Sequence, residues 1–300
     1  MGRAGAQVKM KSKILPLFAS HPRTWRDNRY VYPVISRRSG GLSIGINLNP
    51  DKACNFDCVY CCVDRRPIAA PVTRGPRHVD LKTIEAELTD MLDRALSGEL
   101  FSSPPFDQTP KELRRLNDIA FSGDGEPTAC SKFPQACELV VRILHQRQLH
   151  NVQPIVITNA TLLHRKSVQE GIDRLFAHNG RIWAKLDAGS QDYYKIVERT
   201  SVPISRVLRN ILAAGKRWPI IIQSMFMQLD GHPPPPEEID QYIHRLTELQ
   251  TGGCQIERVQ LYTVARPPAE STVTPVDESL LHAIAARLRT QGLTSSVYPG

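Results

Sequence analysis

The 300 residues contain no run approaching the roughly 18 apolar residues that a membrane-crossing helix needs. The stretch from Ile14 to Ala19 is short, holds Pro16 and is followed by no convincing leader cleavage site. No internal repeat is visible, which argues against a solenoid or a propeller. Nor is there a secreted disulfide framework. The seven cysteines are odd in number and four of them fall between Cys54 and Cys62, a pattern that suits metal or redox chemistry in a reducing compartment. Together these absences predict a soluble, cytoplasmic protein without a membrane partner. Acidic residues are almost missing from one place: residues 1–40 hold nine Lys or Arg against Asp27 alone, which accounts for the whole formal charge of +8. A basic arm attracts nucleic acid or an acidic partner. No RNA-binding motif of the usual kinds accompanies it, so a solvated tail is the plainer reading.

What is present is an ordinary globular composition, 41% hydrophobic and 23% charged, enough for a sizeable core. Short β-branched runs alternate with longer amphipathic ones, which predicts βα units around a parallel sheet. The strands are expected at residues 43–48, 119–122, 154–158, 181–186, 220–225 and 258–264, with a short last one at 294–298. Helices are expected at 81–96, 133–148, 164–178, 204–216, 237–249 and 278–291. The Pro- and Ser-rich segment 97–111 reads as an inserted loop, and Pro233 to Pro236 as a stiff entry to the following helix. The division expected is a basic extension (1–40), a core domain (41–270) and a C-terminal helix and tail (271–300). In such architectures chemistry collects at the carboxyl ends of the strands.

The first of these strands runs into Cys54-Asn55-Phe56-Asp57-Cys58-Val59-Tyr60-Cys61. A Cys-x3-Cys-x2-Cys loop offers three thiolates to a small cluster, whereas a cubane has four irons, so one iron is left open to an exogenous molecule. That favours catalysis over electron transfer. A structural zinc would want a fourth ligand, for which Cys62 is adjacent and His78 downstream.

With Tyr60 before the third cysteine, the loop resembles the signature of radical S-adenosylmethionine enzymes. The flanking text, Gly40 to Asn47 before it and Val63-Asp64-Arg65 after it, is similar to the branch that includes the wyosine tRNA synthases. The resemblance implies a partial (βα)6 TIM-type barrel and a [4Fe-4S] cluster on Cys54, Cys58 and Cys61. It also implies S-adenosyl-L-methionine cleaved reductively to a 5'-deoxyadenosyl radical, and an electron donor such as flavodoxin or ferredoxin. A tRNA base or other RNA is the candidate substrate. Archaeal-type wyosine synthases carry further cysteines for a second cluster, and none precedes Cys54 here. A rival reading is a non-catalytic RNA-binding or interaction protein stabilised by zinc or an iron–sulfur cluster.

Other residues fall at strand ends. Ser122-Gly123-Asp124-Gly125-Glu126 resembles the family's Gly-Gly-Glu element, with Asp124 in place of its first glycine. Gly125 would then allow close backbone approach and Glu126 would complement the methionyl ammonium; the alternative is a turn with Glu126 at a helix start. Thr158, Asn159 and Asp187 would contact cofactor carboxylate or ribose, or serve as helix caps. Lys185 shares a strand face with Asp187 and needs an anionic partner if that face is buried; on the outer face it would snorkel. Arg199 matches an arginine of the wyosine-synthase branch. Gln223 and the stretch Tyr262 to Pro267 are weaker cavity candidates. Cys62, Cys130, Cys137 and Cys254 read as structural thiols, and His145, His150 and His232 as residues without ligand partners.

Overall fold

The computed structural model describes residues 23, 25–63, 79–268 and 270–300. The apolar stretch at 14–19, the basic residues before Arg23, His78 and the Asp64-Arg65 end of the motif text lie outside them.

Strand β1 (Val31–Ser36) pairs antiparallel with β2 (Gly41–Ile46). From β2 the sheet continues in chain order, each strand parallel to the last, through β3 (Leu116–Phe121), β4 (Gln153–Thr158), β5 (Arg181–Lys185), β6 (Ile220–Leu229) and β7 (Ile256–Thr263). The short β8 (Val273–Pro275) pairs with the far end of β6, and β9 (Ser295–Tyr298) closes the order beside β7. The crossovers are α1 (Leu81–Ser97), α2 (Phe133–Gln146), α3 (Lys166–Phe176), α4 (Gln191–Glu198) with α5 (Ile204–Gly215), α6 (Pro236–Thr251) and α7 (Glu278–Thr290). The fold is α/β, a curled, partly closed barrel of six βα units with extra strands at both edges.

Local sequence explains the elements. In α1 the buried residues Ile84, Leu88, Met91 and Leu92 recur on one face; Asp80 caps its start by accepting from the Lys82 amide at 2.9 Å, and Gly98, at φ 82°, ends it. Pro236 opens α6, as the four prolines predict. The strands alternate in a way that sorts core from site. Leu42, Ile44, Ile46, Ile119, Phe121 and Val156 face the helices and are fully buried, each burial stabilising by about 2 kcal/mol. Ser43, Gly45, Asp118, Ala120, Lys185 and Gln223 face the hollow side. Gly45 is required there, because a Cβ would lie 2.2 Å from the Tyr32 ring.

Three elements differ from expectation. Residues 31–36, read with the basic arm on charge alone, form β1, whose Tyr32 and Ile35 are buried. Helix α4 is only eight residues long and too short to stand out by periodicity. The segment at 97–111 is loop-like but packed, with Leu100, Phe101 and Phe106 buried in short 3-10 turns.

Candidate functional site

The cysteine loop leaves the carboxyl end of β2 and is held by backbone bonds to the end of α4. The Asp57 amide donates to the Glu198 carbonyl at 3.1 Å and the Val59 amide to the Val197 carbonyl at 2.9 Å. Thr200 Oγ1 donates to the Asn55 carbonyl at 3.0 Å. Cys54, Cys58 and Cys61 are all partly buried and line one cavity of about 280 Å³. The Cys58 thiol donates to Glu198 Oε2 at 2.6 Å, and the Val63 amide donates to Cys61 Sγ at 3.4 Å. Burial pushes the Cys58 thiol well up, aided by the neighbouring Glu198 charge. Burial and Asp187 likewise push Glu198 above the usual carboxylate range.

Behind this loop lies a polar network. Tyr60 donates its phenol proton to Asp187 Oδ2 at 2.5 Å, and the Met225 amide donates to Asp187 Oδ1 at 2.6 Å. Lys185 Nζ sits 3.1 Å from Asp187 Oδ2 and 4.3 Å from the Tyr60 ring centroid. Burial works against the Lys185 ammonium, but Asp187 and Tyr262 hold its pKa well above the ordinary lysine value. The anionic partner that Lys185 needs is therefore its strand-mate, and the outer-face reading of Lys185 does not hold.

On the facing wall Glu126 is 3% exposed. Its Oε1 accepts from the Thr128 amide at 3.1 Å, the Thr128 hydroxyl, and Thr158 Oγ1 at 2.7 Å; its Oε2 accepts from the Asn159 amide at 2.7 Å. Glu126 thus caps the 3-10 turn Pro127–Ala129 and ties the ends of β3 and β4 together. Asn159 continues the chain of bonds by donating to Asn55 Oδ1 at 2.8 Å, inside the cysteine loop. Gly125 also approaches closely, but to that loop: a Cβ there would lie 2.1 Å from the Ala53 carbonyl oxygen.

The cavity therefore brings together the three cysteines, Tyr60, Gly125, Glu126, Thr158, Asn159 and Lys185. Asp187 stands one contact behind the wall, braced by Tyr60. Arg199 does not line this cavity. It ends α4 at φ 45° and pairs with Glu270 at 2.5 Å in a half-exposed ion pair, because a residue at that helix end turns outward as the chain leaves. Gln223 and Tyr262 do line the cavity, Cys62 is exposed, and Cys130, Cys137 and Cys254 are buried. His145 and His150 cluster with His178, their ring centroids 4.7 to 6.4 Å apart. Sequence reasoning missed Glu198. A carboxylate in the last turn of a helix opposes the helix dipole, and that mismatch is the signal that would have marked it once α4 was recognised.

The radical SAM superfamily model matches residues 48–246. The chain belongs to the radical SAM superfamily. It is similar in structure to a radical SAM methyltransferase from Sphaerobacter thermophilus, with TM-score 0.57 and 14% identity over 90% of this chain and 69% of that one. It is also similar to Streptococcus suis SuiB bound to S-adenosylmethionine, with TM-score 0.55 and 13% identity over 87% of this chain and 52% of that one. At this level of identity the likeness concerns the fold. Among curated relatives, a protein named GTPase Obg from Brachyspira hyodysenteriae is 24% identical over 267 residues, 87% of this chain and 32% of that protein. A UPF0026 protein from Helicobacter pylori strain J99 is 23% identical over 251 residues, 83% of this chain and 70% of that protein. The radical SAM chain thus spans about a third of the first relative. Membership makes it a radical SAM enzyme with no particular reaction assigned, and implies an iron–sulfur cluster and S-adenosylmethionine. Among the described residues no helix is long and apolar enough to cross a membrane.

The radical SAM site fits such a cluster in the chemistry of its donors. Three thiols from one loop share a cavity and lie within electrostatic reach of one another, so that ionising any one disfavours ionising the next. A cationic iron core relieves that repulsion. Among the described residues no three Cys, His, Asp or Glu side chains converge as the ligands of a metal ion do; the Cys58 thiol is turned to Glu198 instead.

Proposed function

We propose that this radical SAM enzyme holds a [4Fe-4S] cluster through Cys54, Cys58 and Cys61 and uses it to cleave S-adenosyl-L-methionine reductively. When bound and reduced by a donor such as flavodoxin or ferredoxin, the cluster supplies the electron that yields methionine and a 5'-deoxyadenosyl radical able to take a substrate hydrogen. The observation that supports this reading most is that all three cysteines line the same cavity as Glu126, Thr158 and Asn159.

The chain's own residues have distinct tasks in this reading. Glu126 Oε2 has a single donor, the Asn159 amide, and so keeps a lone pair for an incoming ammonium. Gly125 brings backbone to the loop where a side chain would block it. Thr158 and Asn159 fix the Glu126 carboxylate, and Tyr60 with Asp187 and Lys185 holds the last turn of the loop in place. The candidate substrate is a tRNA base or other RNA, on the strength of the basic residues 1–40.

Anaerobic reconstitution tests the reading. The expected result is about four iron and four sulfide per chain, with methionine and 5'-deoxyadenosine formed after reduction, and loss of both on Cys54→Ala. A fully cluster-loaded sample that forms neither product overturns it.

A further inference from the structure

Elsewhere in its lining the cavity changes character. Arg38, from the turn between β1 and β2, and Arg266, just beyond β7, both line it, as does Arg37. The Arg38 guanidinium carbon is 4.9 Å from the Tyr262 ring centroid and 5.8 Å from that of Trp183. Other cations of this wall have carboxylates: Lys185 has Asp187, and Arg23 has Asp124 at 3.0 Å. Among the described residues no carboxylate forms an ion pair with Arg38 or Arg266. Arg37 donates to the Pro299 carbonyl.

Two buried polar atoms beside them are also unmatched. Trp183, 6% exposed, has an Nε1 proton without an acceptor. Gln223, fully buried, donates to Gln260 at 2.7 Å but its Oε1 has no donor. Of the wall's carboxyls, Glu126 is bonded on both oxygens, and Asp118 takes the Ser43 hydroxyl on one oxygen and nothing on the other. One carboxyl does not offset the guanidiniums of Arg38 and Arg266 together. Burial, together with the charge of neighbouring arginines, pulls Arg37 and Arg266 below the ordinary arginine value, as expected where positive charge is concentrated away from water.

The surplus of guanidinium charge is costly unless an anion offsets it. S-adenosylmethionine does not supply the balance, since it sets a sulfonium and an ammonium against one carboxylate. A carboxylate ligand is satisfied by a single bidentate arginine. Here two guanidinium forks come from separate elements and offer more donors than the two oxygens of one carboxylate take, which suits an anion with three outer oxygens.

We propose that Arg38 and Arg266 hold a phosphate group of the substrate in this cavity. The inference rests on the radical SAM reading for calling the ligand a substrate. A small nucleotide and the phosphodiester of an RNA share this chemistry.

Equilibrium dialysis of the cluster-loaded full chain tests it with inorganic phosphate, uridine 5'-monophosphate and a short single-stranded RNA, against uridine and acetate. Phosphate and the monophosphate should bind while uridine and acetate do not. Arg38→Gln and Arg266→Gln should each weaken binding about tenfold or more, and the surface control Arg245→Gln should change nothing. Arg38→Lys and Arg266→Lys, which keep the charge, should retain part of the affinity; they serve if the glutamine variants do not fold. Tighter binding of the monophosphate marks a small-molecule substrate, tighter binding of the RNA a nucleic acid, and both keep the phosphate site. Acetate binding as tightly as phosphate, or folded Gln variants binding like the unaltered protein, overturns it. 5'-Deoxyadenosine formed without any substrate is measured alongside. Phosphate binding without that product leaves the site standing and removes the S-adenosylmethionine reading, whereas the product without phosphate binding does the reverse.

Discussion

The rim and the floor of the cavity are built on opposite terms. At the rim, both oxygens of Glu126 accept hydrogen bonds, Asp187 accepts from Tyr60 and the Met225 amide beside Lys185, and Asn159 reaches into the cysteine loop. At the floor, Asp118, Trp183 and Gln223 each keep a buried polar atom unmatched. A satisfied network fixes geometry whatever else binds, while an unsatisfied one waits for the partner that completes it. In the proposed reading the rim holds the cofactor and the floor is where selection of the substrate would fall.

The comparison breaks most visibly at Gly125. Gly125→Ala places a Cβ 2.1 Å from the Ala53 carbonyl oxygen, and backbone on both sides must shift. The variant should lose about 3 kcal/mol of stability in chemical denaturation and retain less iron after reconstitution. Unchanged stability and iron content would show that the rim is looser than the contacts imply.

An effect of comparable size and opposite sign is expected at the floor. Burial pushes the Asp118 carboxyl up to about 6, against the opposing influence of Ser43 and Arg38. A carboxyl whose folded value is raised favours the folded state only while protonated, so its contribution is present below the unfolded value near 4 and is lost as pH rises through about 6. Asp118→Asn should therefore match the unaltered protein at pH 3.5 and exceed it by roughly 3 kcal/mol at pH 8. Denaturation curves at the two pH values decide this, and a variant less stable at pH 8 would mean that ionised Asp118 has a favourable partner.

The smallest effect belongs to Arg199, which lies outside both regions. Arg199→Ala removes a half-exposed ion pair with Glu270, should cost less than about 1 kcal/mol, and should leave S-adenosylmethionine binding by calorimetry unchanged. A tenfold loss of that binding would return Arg199 to the site.

How much of this was legible in the sequence depended on distance along the chain. The period-two alternation put Lys185 and Asp187 on one face, and turn residues marked the strand ends carrying Glu126, Thr158 and Asn159. These are local signals. What could not be read was any pairing made by the sheet's return: Cys58 meets Glu198 across 140 residues and Asn55 meets Asn159 across 104. Charge misled at both ends of the problem. Arg37 and Arg38 counted as part of a solvated arm, yet β1 turns them onto the cavity wall, and Arg199 looked like a site residue and faces outward. A residue's charge says what it can bind, and only the topology says where it stands.

The bonds from Asp57 and Val59 to the last carbonyls of α4 have a consequence for how metal enters. In small metal-folded domains the ligand loop takes shape only as the ion arrives, and binding energy is consumed as folding energy. Here the backbone of the loop is already stitched to a helix that folds with the barrel. In the proposed reading, loading the site asks little more than a rotation of thiols, with Cys58 leaving Glu198, and the barrel is expected to stay folded when the cluster is removed and to take it up again.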